Sequence, residues 1–360
     1  MGETVTRLQA KLRERGLDAA LIAAPEQLSS VNARYLSGFS GSSCYLVIAT
    51  STQYLVTDFR YTEQAKKEAP DFEIVRHGNP YVQALRDLQE SQGFTRIGFE
   101  ADKIPVAIFR EWQDHMPAAE FEPLKGLVEE LRILKTPEEI QAIRRAAEVA
   151  DRALLSVIPG LKGRRERDVA LDLEVAMRRE GADALAFSTI VVSGSRGSLP
   201  HGRPSEKVIE DGDLVTIDFG ALVNGYHSDE TVTVGIGQPS AELRSLFDIV
   251  SEAQQAGIQR VRPGVSSREI DEACRDFITK AGYGEQFGHG TGHGVGLQVH
   301  EAPFASARGR EWILEAGMTL TVEPGIYIPG IGGVRLEDTL MVTESGSERL
   351  TGFPKRWQTY

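Results

Sequence analysis

Hydrophobic positions in the first third of the chain follow two rhythms. Short runs of β-branched and small apolar residues at 19–24, 45–48, 54–57 and 97–99 read as strands. The segments 3–15 and 81–90 instead space their apolar residues three and four apart, which predicts amphipathic helices. Strands alternating with helices predict a small α/β domain.

The rhythm changes after the stretch 117–126. Thr136-Pro137-Glu138-Glu139 is a capping box with proline at the first helical position, and it predicts an amphipathic helix reaching about Ile158. From Thr189 onward, strand patterns dominate at 214–223, 226–234, 318–323 and 333–343. No repeat of fixed period interrupts them. A chain of 360 residues exceeds what one core usually serves. The division expected is a domain at 1–124, a linker at 125–132 and a second domain at 133–360.

Composition narrows the chemistry. With 41% apolar and 26% charged residues the chain is an ordinary globular one, and a net charge of -12 excludes a phosphate-binding surface of clustered Lys and Arg. No run approaches a membrane span, and Arg7, Lys11, Arg13 and Arg15 stand where a signal peptide would be apolar. The Met1-Gly2-Glu3-Thr4-Val5-Thr6 match to an acylation pattern is read as chance. The two cysteines, Cys44 and Cys274, are far apart and form no C-x-x-C. A soluble cytoplasmic protein without nucleic-acid or membrane partners is expected.

Candidate chemistry concentrates in three segments. In the first, Asn224-Gly225 between alternating runs is a strong hairpin signal, and a two-residue turn there pairs Asp218 with Thr231. Asp229 then shares a sheet face with Asp218. Two inward carboxylates on apolar strands call for a neutralising partner, and a metal ion is the simplest. The second segment runs from Gly288 to Glu301, with glycine at alternate positions around His289, His293 and His300. It lacks H-E-x-x-H and the dinucleotide fingerprint, yet five of the seven histidines lie between residues 201 and 300. In the third, Glu323 ends a strand at Pro324, and Arg335 and Glu337 share a face of the strand after it. A surface ion pair is the plainer explanation of that last pair taken alone.

Four carboxylates, Asp218, Asp229, Glu323 and Glu337, held together with His293 would repel unless about two divalent cations balanced them. Oxygen-rich ligation with one imidazole suits Mn(II), Co(II), Fe(II) or Zn(II), and spacing does not choose among them.

These segments resemble the pita-bread metallopeptidases, in the branch of Xaa-Pro aminopeptidase and Xaa-Pro dipeptidase (prolidase). The matching stretches are Leu199-Pro200-His201-Gly202, Thr216-Ile217-Asp218-Phe219-Gly220, Tyr226-His227-Ser228-Asp229, Gly292-His293-Gly294, Val299-His300-Glu301, Val322-Glu323-Pro324-Gly325 and Arg335-Leu336-Glu337-Asp338. Residues 34–41 and 57–61 are similar to the creatinase-type N-terminal domain of the same branch. The resemblance implies an α/β N-terminal domain before an α+β pita-bread catalytic domain with a curved, largely antiparallel sheet. It also implies Asp218, Asp229, His293, Glu323 and Glu337 as ligands of two divalent ions, with Mn(II) preferred and Asp229 and Glu337 bridging. His201 and His300 would bind substrate and the tetrahedral intermediate, Glu323 would carry the proton, and Arg335 would support the ligands. The implied substrates are Xaa-Pro dipeptides or peptides with proline second, and the implied assembly is a homodimer. Arg308 or Arg310 is a candidate clamp for a dipeptide carboxylate, which would separate dipeptidase from aminopeptidase. The rival reading is a noncatalytic binding module of the same fold; a creatine-type amidinohydrolase does not need five metal ligands.

Overall fold

Ala19–Ala24 is apolar at every position because it is covered on both faces. It lies inside a six-stranded sheet ordered Glu73–Arg76, Gln53–Thr57, Cys44–Ala49, Ala19–Ala24, Arg96–Glu100, Glu120–Leu124. Ala19–Ala24 pairs antiparallel with Cys44–Ala49 and parallel with Arg96–Glu100. Leu8, Leu12 and Leu36 pack on one face, and Val82, Leu85 and Trp112 on the other. The helices Gly2–Arg15 and Tyr81–Gln92 supply several of these residues.

The computed structural model describes residues 2–26, 28 and 31–360, and it divides into two compact units, Met1–Arg132 and Ile133–Tyr360. The stretch 125–132, expected as a linker, closes the first unit instead. Leu127, Val128 and Leu131 are buried in its core, and Glu129–Arg132 is a helical turn. So short a segment shows no period for sequence reasoning to find.

In the second unit, the Glu139 N–H donates to Thr136 Oγ1 at 3.3 Å and the Thr136 N–H to Glu139 Oε2 at 2.9 Å, starting the helix Pro137–Val157. With Glu166–Arg179 it buries Val149, Ala153, Leu173 and Met177 against Ile217 and Val232. Those residues belong to an antiparallel sheet of Ile190–Ser193, Leu214–Phe219 and Glu230–Gly235. A second helix pair, Ala241–Ile258 and Ser267–Lys280, buries Phe247, Val250 and Ile278 against Leu320, Val322 and Leu340. These last lie on Thr319–Val322 and Asp338–Val342, again antiparallel. The helices thus pack against one face of these strands, leaving the other face free for polar side chains. The arrangement is the α+β, largely antiparallel one that the resemblance implies for the second domain. Among the described residues, no helix is long and apolar enough to cross a membrane.

Candidate metal centre

The Asn-Gly turn forms as its sequence predicts. Asn224 and Gly225 take positive φ values of 52° and 85°, and the register runs Val223↔Tyr226, Leu222↔His227, then Thr231↔Asp218. The two arms are not continuous strands, however. Each breaks once, giving Leu214–Phe219 and Ala221–Val223 on one side and Tyr226–His227 and Glu230–Gly235 on the other. At the break the Ala221 N–H donates to Ser228 Oγ at 2.9 Å. A Cβ on Gly220 would lie 2.1 Å from Ser228 O, so only glycine permits the kink. Asp218 and Asp229 flank it, and their carboxylates meet that of Glu337 with ligand atoms within 4.8 Å of one another.

His293 lies on Gly292–Gly294, where the pairing with Glu301–Ala305 shifts register between His293 and Gly294. A Cβ on Gly292 would sit 1.8 Å from Thr321 O, so glycine is again required. The His293 backbone N–H donates to Thr321 Oγ1 at 3.0 Å, and Nδ1 lies 3.1 Å from Gly294 O. The Nδ1 N–H donates to that carbonyl, which leaves Nε2 as the ligand atom. Nε2 is 3.4 Å from Glu323 Oε1 and 3.6 Å from Asp229 Oδ2. Glu323 follows Thr319–Val322, its backbone N–H donating to Thr291 O at 2.7 Å.

The strand expected at 333–343 also breaks, into Gly332–Arg335 and Asp338–Val342, which belong to different sheets. Arg335 and Glu337 are both buried, so they are no surface ion pair. Arg335 NH2 donates to Asp218 Oδ2 at 2.6 Å, its NH1 to Tyr327 OH at 3.1 Å and its Nε to Thr231 Oγ1 at 3.2 Å. Thr231 Oγ1 donates in turn to Glu337 Oε2 at 2.6 Å. One guanidinium therefore orients two carboxylates, one directly and one through a hydroxyl.

Without ions the cluster is strained electrostatically. Burial, with Glu323 and Asp218 close by, pushes Glu337 up to about 8. Burial and the charges of Glu337 and Asp218 hold Asp229 well above the carboxylate range. Asp218 is raised by burial against the opposing Arg335. Glu323 moves the other way: burial opposes ionisation, but the hydrogen bond and charge of His293 bring it below its ordinary value. Burial and neighbouring His293 lower His300, and burial lowers His289.

A cavity of about 540 Å³ opens on the cluster, lined also by His201, His300, His289, Phe187 and Phe304. The His293 and His300 rings are 4.2 Å apart between centroids. All seven residues expected at the site other than Arg335 reach this cavity, and Arg335 reaches it as well. Arg308 and Arg310 do not; both are exposed, and the Arg310 guanidinium stacks 3.9 Å over the Trp312 ring. Sequence reasoning named His289 but gave it no role; its Nε2 lies 2.9 Å from Tyr327 OH. Its place in the glycine-alternating segment was signal enough. Tyr327 gave none, being one aromatic among many.

The model of metallopeptidase family M24 matches residues 141–344, and that of the creatinase/prolidase N-terminal domain matches residues 5–134. The chain belongs to metallopeptidase family M24. Its likeness to M24 members runs the whole length. It is 39% identical to an Xaa-Pro dipeptidase of Pyrococcus horikoshii over 98% of this chain and 97% of the other. An Xaa-Pro dipeptidase structure from Bacillus anthracis superposes with a TM-score of 0.95 at 42% identity, covering 99% of each chain. An X-Pro aminopeptidase from Thermotoga maritima gives 0.91 at 39%, covering 96% of this chain and 99% of that one. The chain is thus a prolidase-type M24 peptidase, in a family of divalent-metal enzymes.

The residues present fit such ions. Asp218 Oδ1 is buried with no hydrogen-bond partner among the described residues. His293, Glu323 and Glu337 form a second group of ligand atoms within 4.8 Å of one another. An orphaned carboxylate oxygen beside an imidazole with its lone pair directed inward is what a hard or borderline cation requires.

Proposed function

We propose that this M24 peptidase hydrolyses the bond between an N-terminal residue and a following proline. Two divalent ions, Mn(II) by preference, would be held by Asp218, Asp229, His293, Glu323 and Glu337. The observation carrying this reading is the convergence of four carboxylates and one imidazole in one cavity, with Asp218 Oδ1 left unpartnered. Bound ions would supply Lewis-acid polarisation and an acidified water.

The protein groups divide the remaining work. Glu323 takes the proton of the attacking water and delivers it to the proline nitrogen, a poor leaving group until protonated. His300, held neutral by burial, donates to the carbonyl oxygen as charge develops there. His201, across the cavity, holds the substrate. Arg335 fixes Asp218 and, through Thr231, Glu337.

The site also leaves room for substrates longer than dipeptides. A second cavity of about 620 Å³ shares Ser188, Ile190 and His201 with the first and continues to Arg203. A peptide could extend its carboxyl-terminal part past His201 into that space. The assembly proposed is a cytoplasmic homodimer, which sedimentation tests as a mass of twice the chain's.

The deciding experiment is metal analysis joined to a substrate panel of Ala-Pro, Met-Pro, Ala-Pro-Ala and Ala-Ala. Two ions per chain and cleavage of the proline substrates but not Ala-Ala are expected. Intact Xaa-Pro peptides after incubation with the Mn(II)-loaded protein would leave a binding module as the better reading. Turnover of Ala-Pro with Ala-Pro-Ala untouched would make it a strict dipeptidase.

A further inference from the structure

The segment that carries His300 is held from behind by an ion pair outside the cavity. Lys135 places its ammonium 2.7 Å from Glu301 Oε1, with side chains only 1% and 6% exposed. Lys135 is itself fixed: its backbone N–H donates to Gly317 O at 2.9 Å and its Nζ to Ile133 O at 3.3 Å. Glu301 Oε2 accepts the Gln298 N–H at 3.2 Å. Gly296 presses on the same carboxylate, so closely that a Cβ there would lie 2.4 Å from Oε1. The Gly296 N–H donates to Gln298 O at 3.0 Å, and its carbonyl accepts the His227 N–H at 2.8 Å. Residues 296–301 are therefore wrapped around one neutralised carboxylate and stitched to the segment leading into Asp229.

Glu301 begins the strand Glu301–Ala305, and His300, the bend residue just before it, lines the cavity whereas Glu301 does not. Locking Glu301 behind the segment directs His300 toward the cavity in front. A buried ion pair is a poor stability device, since well-packed apolar residues do as well or better. Directional placement is what it supplies beyond packing.

We propose that Lys135 and Glu301 are positioning residues that set His300 against the substrate carbonyl. This rests on the peptidase reading above, and the test keeps the two apart. Variants Glu301→Gln and the double apolar exchange Lys135→Met with Glu301→Leu are compared with the unaltered protein. Metal content, kcat and KM for Ala-Pro are measured, with hydrogen exchange of residues 295–300 in metal-free protein. Glu301→Gln should keep its metal and its KM within about 3-fold while kcat falls roughly 10- to 100-fold, the scale of a displacement near 1 Å. Exchange at 295–300 should quicken while that of Leu214–Phe219 stays unchanged. The double variant should regain thermal stability but not kcat.

An unchanged kcat in Glu301→Gln, or a double variant with full turnover, would reduce the pair to packing. Loss of metal together with turnover would place its effect on the ions instead. If Glu301→Gln does not fold, the double variant alone decides between these outcomes. If the unaltered protein cleaves neither Ala-Pro nor Ala-Pro-Ala, the peptidase reading falls, and the exchange data still report whether the pair holds the His300 segment.

Discussion

Glu323 is the carboxylate whose proton affinity runs against that of its neighbours. Glu337 and Asp229 are driven up by burial and mutual repulsion, whereas His293 draws Glu323 down despite burial. Titratable groups pushed apart in this way mark acid–base chemistry. Glu323→Gln keeps the size of the side chain and removes its basicity. Turnover of Ala-Pro by that variant should fall by roughly 100-fold or more with metal still bound; near-normal turnover at full metal occupancy would remove Glu323 from proton transfer. The same physics acts far from the cavity at Glu100, 5% exposed, which burial pushes to about 7 while the Asn32 hydrogen bond opposes and Glu129 adds to the rise. Its folded value lies above the ordinary 4.5, so its protonated form belongs to the fold. The stability this gives is complete below pH 4.5 and is lost as pH rises through about 7. The loss amounts to roughly 3 kcal/mol at about 1.4 kcal/mol per unit. Glu100→Gln should flatten that decline in urea denaturation at pH 5 and pH 8, and parallel pH dependence in both proteins would refute the assignment.

Elements were legible where a local rule sets them. The Asn224-Gly225 turn fixed the pairing of Asp218 with Thr231, and the Thr136 capping box fixed where Pro137–Val157 begins. Where elements end was not legible when a distant atom decides it. Nothing in the alternation of residues 214–223 announces that the backbone of Ser228 comes so near Gly220 that the strand must break there. The break between Arg335 and Asp338 is of the same kind, because Glu337 leaves its ladder to give its N–H to Thr231 O at 3.0 Å. Likewise Tyr327 joins the site through contacts with His289 and Arg335 that link separate segments. These breaks are the points from which ligand side chains are aimed, so removing one should cost binding as well as stability. Gly220→Ala forces the hairpin apart by an added methyl against backbone. A loss of about 2–4 kcal/mol, in the range of buried strain and overpacking, is expected. Titration calorimetry should also find weaker metal binding than in the parent; parent-like affinity would show that the kink does not aim Asp218 and Asp229.

At the scale of the molecule, two separate cores predict two separate responses to metal. The first unit packs on its own sheet around Leu46, Leu55 and Trp112 and contains none of the proposed ligands. The second unit holds all of them, together with protons that ions must displace. With Glu337 near 8 and Asp229 well above its ordinary range, the metal-free cluster is partly protonated at pH 7. Divalent binding there should release protons, visible as a dependence of the calorimetric heat on the ionisation enthalpy of the buffer. The sign for stability follows from the same values. Glu337 is raised in the fold, so its contribution to the metal-free protein is present below 4.5 and lost as pH climbs through about 8. Chelation should therefore destabilise the second unit more at pH 8.5 than at pH 6, while leaving the first unit's stability at each pH unchanged. At a metal concentration 100 times Kd each site would contribute about 2.7 kcal/mol. Hydrogen exchange distinguishes the units: protection around Leu214–Phe219 should drop on chelation and protection around Ala19–Ala24 should not. Equal loss in both sheets would mean that the two cores melt as one, and no change in either would mean that the carboxylate cluster holds no stabilising ion.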